Sequence, residues 1–233
     1  MCRKAVAGAR FFEVLMSGFF ERLTASLDRP VVGKSRLLVF LAALALVPTF
    51  FVPLWHMTFV AQQYPEGLNL YVYSHNLVGG DDGNDLTEIN VLNHYIGMAE
   101  LKPADFTELK WIPLVIGLIG ILTLRVAAIG TLRSLVDVIV VSLYFGGFSM
   151  WSFWYKLNYY GANLDPKASV EVAPFMPPMF GYKLVGQFDV WSYPALGTYL
   201  FGVFGLLLVA AFWLSWRNPG LETTNPTHDG GVR

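Results

Sequence analysis

The sequence predicts an all-α membrane protein with four transmembrane helices, an amphipathic N-terminal helix and a small external α+β domain built from two inter-span segments. Composition is the first observation behind this prediction. Hydrophobic residues make up 55% of the 233 residues and charged residues 14%, against about 25% charged in an average soluble domain. The second observation is that the apolar residues are concentrated in runs of about 20, the length that crosses a bilayer. The third is that basic residues flank these runs on one side.

The four spans are predicted from apolar runs at residues 37–57, 111–132, 134–154 and 193–216. Arg125 interrupts the second run, but an arginine near the end of a span can extend its guanidinium to the interface. Pro48 and Pro53 predict a kink in the outer half of the first span, because proline lacks the backbone N–H that a helix requires.

Charge distribution predicts the orientation. Residues 1–36 carry seven Lys and Arg, and Arg133 and Arg217 flank the later spans. Residues 58–110 instead carry eight acids and two lysines. Because short basic flanks stay in the cytoplasm, we expect both termini to be cytoplasmic and residues 58–110 and 155–192 to be external.

The two terminal segments have different compositions. Apolar residues at helical spacing in residues 10–27 predict an amphipathic helix on the inner membrane surface; the alternative is a helix packed against the bundle. Residues 217–233 are rich in Pro, Gly, Asn and Thr, a composition typical of a disordered cytoplasmic tail.

Local patterns predict a small fold in residues 58–110. Partial alternation in residues 68–77 favours a strand, and the Gly and Asp residues at 79–83 favour a turn. Asp85 and Glu88 have the spacing of a capping box for a helix over residues 86–96. Gly97 follows as a natural stop for that helix.

Several function classes are excluded by missing motifs. Cys2 is the single cysteine, so neither an intramolecular disulfide nor covalent c-type haem, which requires C-x-x-C-H, is available. The sequence contains no P-loop, G-x-G-x-x-G, G-x-S-x-G or H-E-x-x-H motif. A net charge of −1 gives no indication of nucleic-acid binding. We therefore predict a protein that is not an enzyme.

Histidine and methionine residues on the external side suggest a metal site. His94 and Met98 share one helix face if the helix continues through Gly97, and Met98 turns back if Gly97 is a left-handed cap. Imidazole and thioether ligands favour copper, Cu(I) especially. The further candidate ligands are His56, Met176 and Met179. The alternative interpretation is structural, because methionine often fills gaps in apolar contacts and a single histidine is often only a hydrogen-bonded polar group.

An aromatic run, MWSFWYKLNYY, ends the third span. Indole and phenol groups at this level are typical of the aromatic belt at a membrane interface. The alternative is that these rings line a quinone or haem site.

The sequence resembles a bacterial polytopic membrane protein family through the runs PLWHMTFVAQQYPEGLNLYVY, EINVLNHYIGM, ELKWIP, YGANLDPKASVEVAPFMPPMFG and SYPALGTYLFG. Members of that family are found near genes for clade II nitrous oxide reductase and its copper-maturation proteins, and are sometimes labelled cytochrome c. The resemblance implies a bacterial inner-membrane location and a link to denitrification. It supplies no catalytic residues, and this sequence contradicts covalent haem attachment.

Two functional hypotheses follow. The first is an accessory membrane protein that binds copper externally and supports the maturation of, or electron supply to, a periplasmic copper enzyme such as nitrous oxide reductase. The second is a non-metal membrane anchor, or a quinone or electron-transfer partner subunit of a respiratory complex.

Overall fold

The computed structural model describes residues 21, 24–31, 33–185 and 188–217. Five helices and five strands have both ends within these residues and follow in chain order: α1 (Lys34–Leu46), β1 (Trp55–Ala61), β2 (Tyr64–Val72), β3 (Leu77–Gly79), α2 (Asn84–Tyr95), α3 (Glu108–Ile129), α4 (Leu132–Ala162), β4 (Gly181–Val185), β5 (Phe188–Pro194) and α5 (Leu196–Arg217). Short 3-10 turns lie at Val47–Phe50, Asp81–Gly83 and Pro103–Asp105. Most of the predicted N-terminal amphipathic helix and nearly all of the predicted tail lie outside the described residues.

The prediction of four transmembrane helices in an all-α fold is wrong. In the described part of the chain three helices, α3, α4 and α5, are long and apolar enough to cross a membrane. The predicted first span divides into α1, a 3-10 turn and the start of β1. At about 1.5 Å per residue, the 13 residues of α1 extend only about 20 Å, short of the roughly 30 Å hydrocarbon core.

Prolines and a change of periodicity explain why the first helix ends early. Pro48 and Pro53 cannot donate to a helical ladder, and each restricts the residue before it. From Trp55 onwards, buried and half-buried residues begin to alternate, as expected for a strand covered on one face. The apolar run at residues 37–57, although long enough to cross a bilayer, therefore contains two kinds of secondary structure.

α1 nevertheless belongs to the core of the helical bundle. It packs between α3 and α5, and its fully buried side chains join those of the two neighbouring helices. Val39, Ile116 and Leu208 are among the least exposed residues of this core.

A five-stranded antiparallel sheet with strand order β3-β2-β1-β5-β4 covers one end of the bundle. β1 is the central strand and pairs with both β2 and β5. The first inter-span region supplies β1 to β3, and the second supplies β4 and β5. The predicted mixed α+β content is therefore present, and both regions contribute to one sheet.

One face of the sheet packs over a second apolar core. Trp55, Met57 and Leu70 point to this face together with Ile89 of α2 and Leu157 of α4. With 31 residues, α4 is about 46 Å long, so it exceeds the bilayer core and its last turns reach the sheet. The C-terminal part of α4 thus belongs to the sheet domain and its middle to the bundle.

The start of α2 differs from the predicted capping box. Gly83 is the N-cap residue, and no side chain caps the helix. Asp85 accepts a hydrogen bond from the backbone N–H of Asn69 at 2.7 Å, and Glu88 accepts one from the hydroxyl of Tyr64. Both carboxylates therefore attach the helix to β2.

The opposite end of the bundle is closed by backbone contacts around the α3–α4 turn. Val31 donates to the carbonyl of Gly130 at 3.0 Å, and Leu132 donates to that of Arg29 at 2.9 Å. An ion pair of 3.4 Å joins Arg133 to Asp28. Since α5 starts beside the sheet and runs antiparallel to α4, Arg217 lies at this turn end as well.

A buried hydroxyl joins the two halves of the sheet. Ser192 of β5 is 0% exposed; its Oγ accepts from Trp55 Nε1 at 2.8 Å and donates to the carbonyl of Met179 at 3.0 Å. We expect Ser192→Ala to lower the free energy of unfolding by about 2 kcal/mol, because it leaves the buried Trp55 Nε1 donor and the half-buried Met179 carbonyl without this partner. Unfolding by SDS titration in mixed micelles measures this change.

The matched control is Ser142→Ala, whose hydroxyl bonds only the carbonyl of Val138 in its own helix at 2.7 Å. We expect this substitution to change the free energy of unfolding by less than about 0.5 kcal/mol. Equal losses in the two variants would contradict the role assigned to Ser192.

Candidate ligand cavity

A cavity of about 830 Å³ lies between α3, α4 and α5 and extends beneath the sheet. Its walls are mostly apolar, and they include the inward-facing residues of β1 and β2. The volume falls within the range of about 300–1,000 Å³ that is typical of small-molecule sites. The cavity is therefore large enough for a ligand.

Glycines keep this space open in the helical bundle. Gly146 and Gly147 of α4 and Gly202 and Gly205 of α5 line the cavity. A Cβ atom added at any of the four would meet no atom within 4 Å. The cavity thus includes the space beside four positions at which the helices carry no side chain.

The cavity opens sideways, toward the outside of the bundle. Leu143 and Leu206 both line it, yet they are 71% and 72% exposed. In a membrane this mouth faces lipid, so a lipid-soluble molecule can enter without crossing water.

Aromatic rings form the wall where the bundle meets the sheet. Trp55 of β1 lies 5.0 Å from Phe153 of α4, measured between ring centroids, and Trp111 of α3 lies 5.6 Å from Phe148. Trp55, Trp111 and Phe153 line the cavity. Part of the predicted aromatic belt therefore faces inward.

A polar cluster lies on the wall at this same level. Glu108, the first residue of α3, accepts a hydrogen bond on Oε1 from Ser152 Oγ at 3.0 Å. Lys156 Nζ lies 3.8 Å from Glu108 Oε2 and donates to the carbonyl of Asp105 at 3.2 Å. It also lies 5.2 Å from the ring centroid of Phe106. The acid and the base are thus neutralised by each other at the edge of an apolar space.

Two polar atoms of the cavity wall are buried and have no hydrogen-bond partner: Glu108 Oε2 and Ser149 Oγ. Ser149, Ser152 and Lys156 follow one another at three- and four-residue spacing, so they share one face of α4. An unpaired buried polar atom costs about 1–3 kcal/mol, and more when it is charged. Glu108 and Ser149 therefore have hydrogen-bonding capacity that the described protein groups do not use, although Lys156 Nζ lies 3.8 Å from Glu108 Oε2.

The predicted pair His94 and Met98 is separated by a glycine cap. Gly97 has a φ of +75°, which glycine adopts without strain. Met98 N–H bonds the carbonyl of Asn93 at 2.8 Å and Gly97 N–H bonds that of His94 at 3.2 Å, the arrangement of a Schellman motif. His94 is exposed in the last turn of α2, while Met98 leaves the helix and lines the cavity.

His56 lies on the other face of the sheet. Along β1 it alternates with Trp55 and Met57, which line the cavity, so its side chain points away from that cavity. Its Nε2 lies 3.0 Å from Asn69 Oδ1, and its ring stacks on Tyr71 with centroids 4.7 Å apart. The sheet therefore separates the ring of His56 from Met98.

Met176 and Met179 pack against the apolar core beneath the sheet. Their carbonyls accept hydrogen bonds from Lys183 Nζ at 2.9 Å and from Ser192 Oγ at 3.0 Å. Among the described residues no group of three or more His, Cys, Asp and Glu side chains is placed to hold a metal. Methionine ligands are not among these side chains, so the copper site built on His94, Met98, His56, Met176 and Met179 stays a prediction.

The polar cluster was missed from sequence because Glu108 lies more than 40 residues before its partners on α4. Its signal was present in two places: a glutamate opens α3, and Ser152 and Lys156 interrupt the aromatic run of α4, which Ser149 precedes. In a lipid-facing stretch such residues indicate an interior or functional surface.

The chain matches no protein-family model, no curated protein and no solved structure. The resemblance to a membrane protein family near nitrous oxide reductase genes therefore stays a prediction.

The stabilisation that the Lys156–Glu108 ion pair gives the fold can be measured directly. The side chains of Lys156 and Glu108 are only 24% and 20% exposed. We expect Lys156→Met to lower the free energy of unfolding by about 2 kcal/mol, because Glu108 is left charged and without its cation. In a Glu108→Gln background the same change should cost about 1 kcal/mol less. SDS-titration unfolding of the four proteins of this cycle measures the coupling, and equal costs in both backgrounds would contradict it.

Proposed function

We propose that this protein binds a lipid-soluble amphiphile within the membrane. The apolar chain of the ligand lies between α3, α4 and α5, and its head group lies beside Glu108, Ser149 and Ser152. The observation that supports this most directly is a laterally open apolar cavity of about 830 Å³ whose wall includes Glu108, Ser149, Ser152 and Lys156.

The distribution of polarity fits an amphiphile better than a wholly apolar molecule. The walls at the level of Gly146 and Gly202 are apolar, whereas Glu108 and Lys156 lie where the bundle meets the sheet. A chain that moves from lipid into an apolar cavity gains little hydrophobic free energy, since lipid tails are equally apolar. Recognition would therefore depend on packing and on the head group.

The proposed orientation places the sheet domain outside the bacterial inner membrane and the turn end in the cytoplasm. Arg29, Arg133 and Arg217 lie at the turn end, as short basic flanks of cytoplasmic ends do. The head-group cluster then lies near the external surface of the membrane, and residues 30 and 217 are both cytoplasmic.

Of the two sequence hypotheses, the cavity favours the quinone-binding or partner-subunit role, because quinones are lipid-soluble and have polar rings. The accessory role in copper-enzyme maturation stays a hypothesis. It receives no support from the placement of His94 on the surface and of His56 on the far face of the sheet.

Filling the cavity tests the proposal. We expect the double variant Gly146→Leu, Gly202→Leu to bind 2-bromododecan-1-ol and 2-bromododecanoic acid, whose bromine lies beside the head group, about tenfold more weakly, because forcing methylene groups into an occupied space costs about 1–3 kcal/mol. In nanodiscs, bromine quenching of Trp55 and Trp111, which line the cavity, measures occupancy. Quenching of the lipid-facing tryptophans provides a background shared by all variants.

Gly117→Leu is the matched control. Gly117 of α3 also has nothing within 4 Å of an added Cβ, but it does not line the cavity. We expect it to quench like the wild type. If neither probe quenches the wild type more than the filled variant, the cavity holds no amphiphile and the proposal is wrong.

The orientation has its own test. In a Cys2→Ser background, we expect Asp82→Cys to react with a membrane-impermeant maleimide applied to spheroplasts, and Arg217→Cys to react only after lysis. Asp82 lies in the sheet domain and Arg217 at the turn end. Labelling of Arg217→Cys with protection of Asp82→Cys would invert the orientation.

A further inference from the structure

The outer surface of the α3–α4 hairpin carries one exposed stripe of side chains on each helix. Within each stripe, successive residues are separated by four, three and four positions, the spacing that keeps side chains on one face when helices pack in a bundle. All eight residues are exposed in the single chain: Leu114, Leu118, Ile121 and Arg125 of α3, and Asp137, Val141, Tyr144 and Phe148 of α4. None of them lines the cavity, so a role for these stripes is independent of the proposed function.

Each stripe includes one charged residue, and the two charges lie at similar depth. Arg125 lies four residues before the end of α3, and Asp137 lies five residues after the start of α4. At about 1.5 Å per residue, both are about 6–7.5 Å from the α3–α4 turn. Neither side chain forms an ion pair or a hydrogen bond with another group in the described part of the chain. Arg133, one turn before Asp137, is paired with Asp28 instead.

An exposed carboxylate at this depth is costly in a lipid bilayer. α3 is about 33 Å long, close to the roughly 30 Å of the hydrocarbon core, so its ends lie near the core boundaries. Arginine can extend its guanidinium toward the head groups, but aspartate has a single methylene group and cannot. Charged residues within spans usually pair with one another or face the interior of a bundle. Asp137 therefore requires a cation that the single chain does not supply.

A second copy of the chain supplies that cation through symmetry. Two copies inserted in the same direction are related by a two-fold axis along the membrane normal, so contacting residues lie at matching depths. Arg125 of one copy then meets Asp137 of the other, and the reciprocal pair forms on the opposite side of the axis. In this register, antiparallel packing of α3 on α4 of the second copy brings three further pairs together: Ile121 with Val141, Leu118 with Tyr144, and Leu114 with Phe148.

We infer that the protein forms a homodimer in which α3 and α4 of two copies make a four-helix bundle, with Arg125 and Asp137 paired between the copies. The charge pair and the apolar stripes select the same register, because both stripes follow the same spacing. Helix association within lipid depends on packing and polar contacts, since lipid tails are as apolar as the side chains. The reciprocal ion pairs are stronger there than in water, so they hold this register.

Charge exchange between copies tests the inference. Copies labelled with a donor or an acceptor maleimide at Cys2, the single cysteine, report dimers by energy transfer in liposomes of increasing lipid-to-protein ratio. We expect Arg125→Asp and Asp137→Arg each to raise the dissociation constant at least about tenfold, because like charges then meet at both contacts. Mixing the two variants should restore wild-type energy transfer, since each contact then joins an acid to a base. A pair formed within one chain gives no such restoration.

Arg217→Asp is the matched control. Arg217 is an exposed cation at the same end of the bundle, but it lies on α5, with its Cζ 4.2 Å from the ring centroid of Trp213. Its substitution should leave energy transfer unchanged. A monomeric wild type, or a mixture that dissociates as readily as either folded variant alone, would overturn the inference. SDS titration establishes whether each variant is folded.

Cysteine crosslinking tests the same register without a change of charge, and it decides the question if a charge variant does not fold. In a Cys2→Ser background, mixed Ile121→Cys and Val141→Cys copies should form a disulfide-linked dimer under copper–phenanthroline oxidation, because these positions face each other across the interface. Ile121→Cys mixed with Leu206→Cys should not, because Leu206 is exposed on α5, outside both stripes. Equal crosslinking in the two mixtures, or none in either, would contradict the interface.

Discussion

The pairing of β1 with β5 is the interaction on which the rest of the structure depends. These strands come from regions on either side of α3 and α4, and together they form the middle of the sheet. Trp55 and Ser192 join them through a buried hydrogen bond 137 residues apart in sequence. Because β1 follows α1 and β5 runs into α5, the pairing also fixes the ends of both helices beneath the sheet. The cavity exists because this fixed sheet closes the space that the helices leave open.

The cavity illustrates how a lipid environment raises the cost of a polar group that has no hydrogen-bond partner. Within a bilayer every polar atom needs a partner in the protein or its ligands. Ser142 meets this requirement with a carbonyl of its own helix, whereas Ser149, two turns further along the same helix, does not. Both serines line the cavity, so they differ in their hydrogen-bond partners and not in facing different surroundings. Glu108 and Lys156 lie in the same wall, and each compensates the charge of the other.

Sequence periodicity predicted the helices that are regular and missed the elements that depend on long-range contacts. The apolar runs of α3 and α5 are nearly uniform, so their existence followed from composition. The run at residues 37–57 has the same composition, but Pro48, Pro53 and pairing with β2 and β5 convert its second half into a turn and a strand. The sequence left Gly97 open as a continuation of the helix or a left-handed cap, and its positive φ shows that α2 ends before Met98. Glu108 and Ser152 meet only through the packing of α3 on α4, which no local pattern encodes.

The central position of β1 has a consequence for biosynthesis. Its partner β2 emerges from the ribosome at once, but β5 is made only after α3 and α4 have been synthesised. Until then the other edge of β1 presents unpaired backbone groups, a condition that favours pairing with foreign strands. Burial of Trp55 against Ser192 must therefore be among the last steps of assembly, and a chain truncated before residue 188 would keep an open sheet edge however well its earlier helices had inserted.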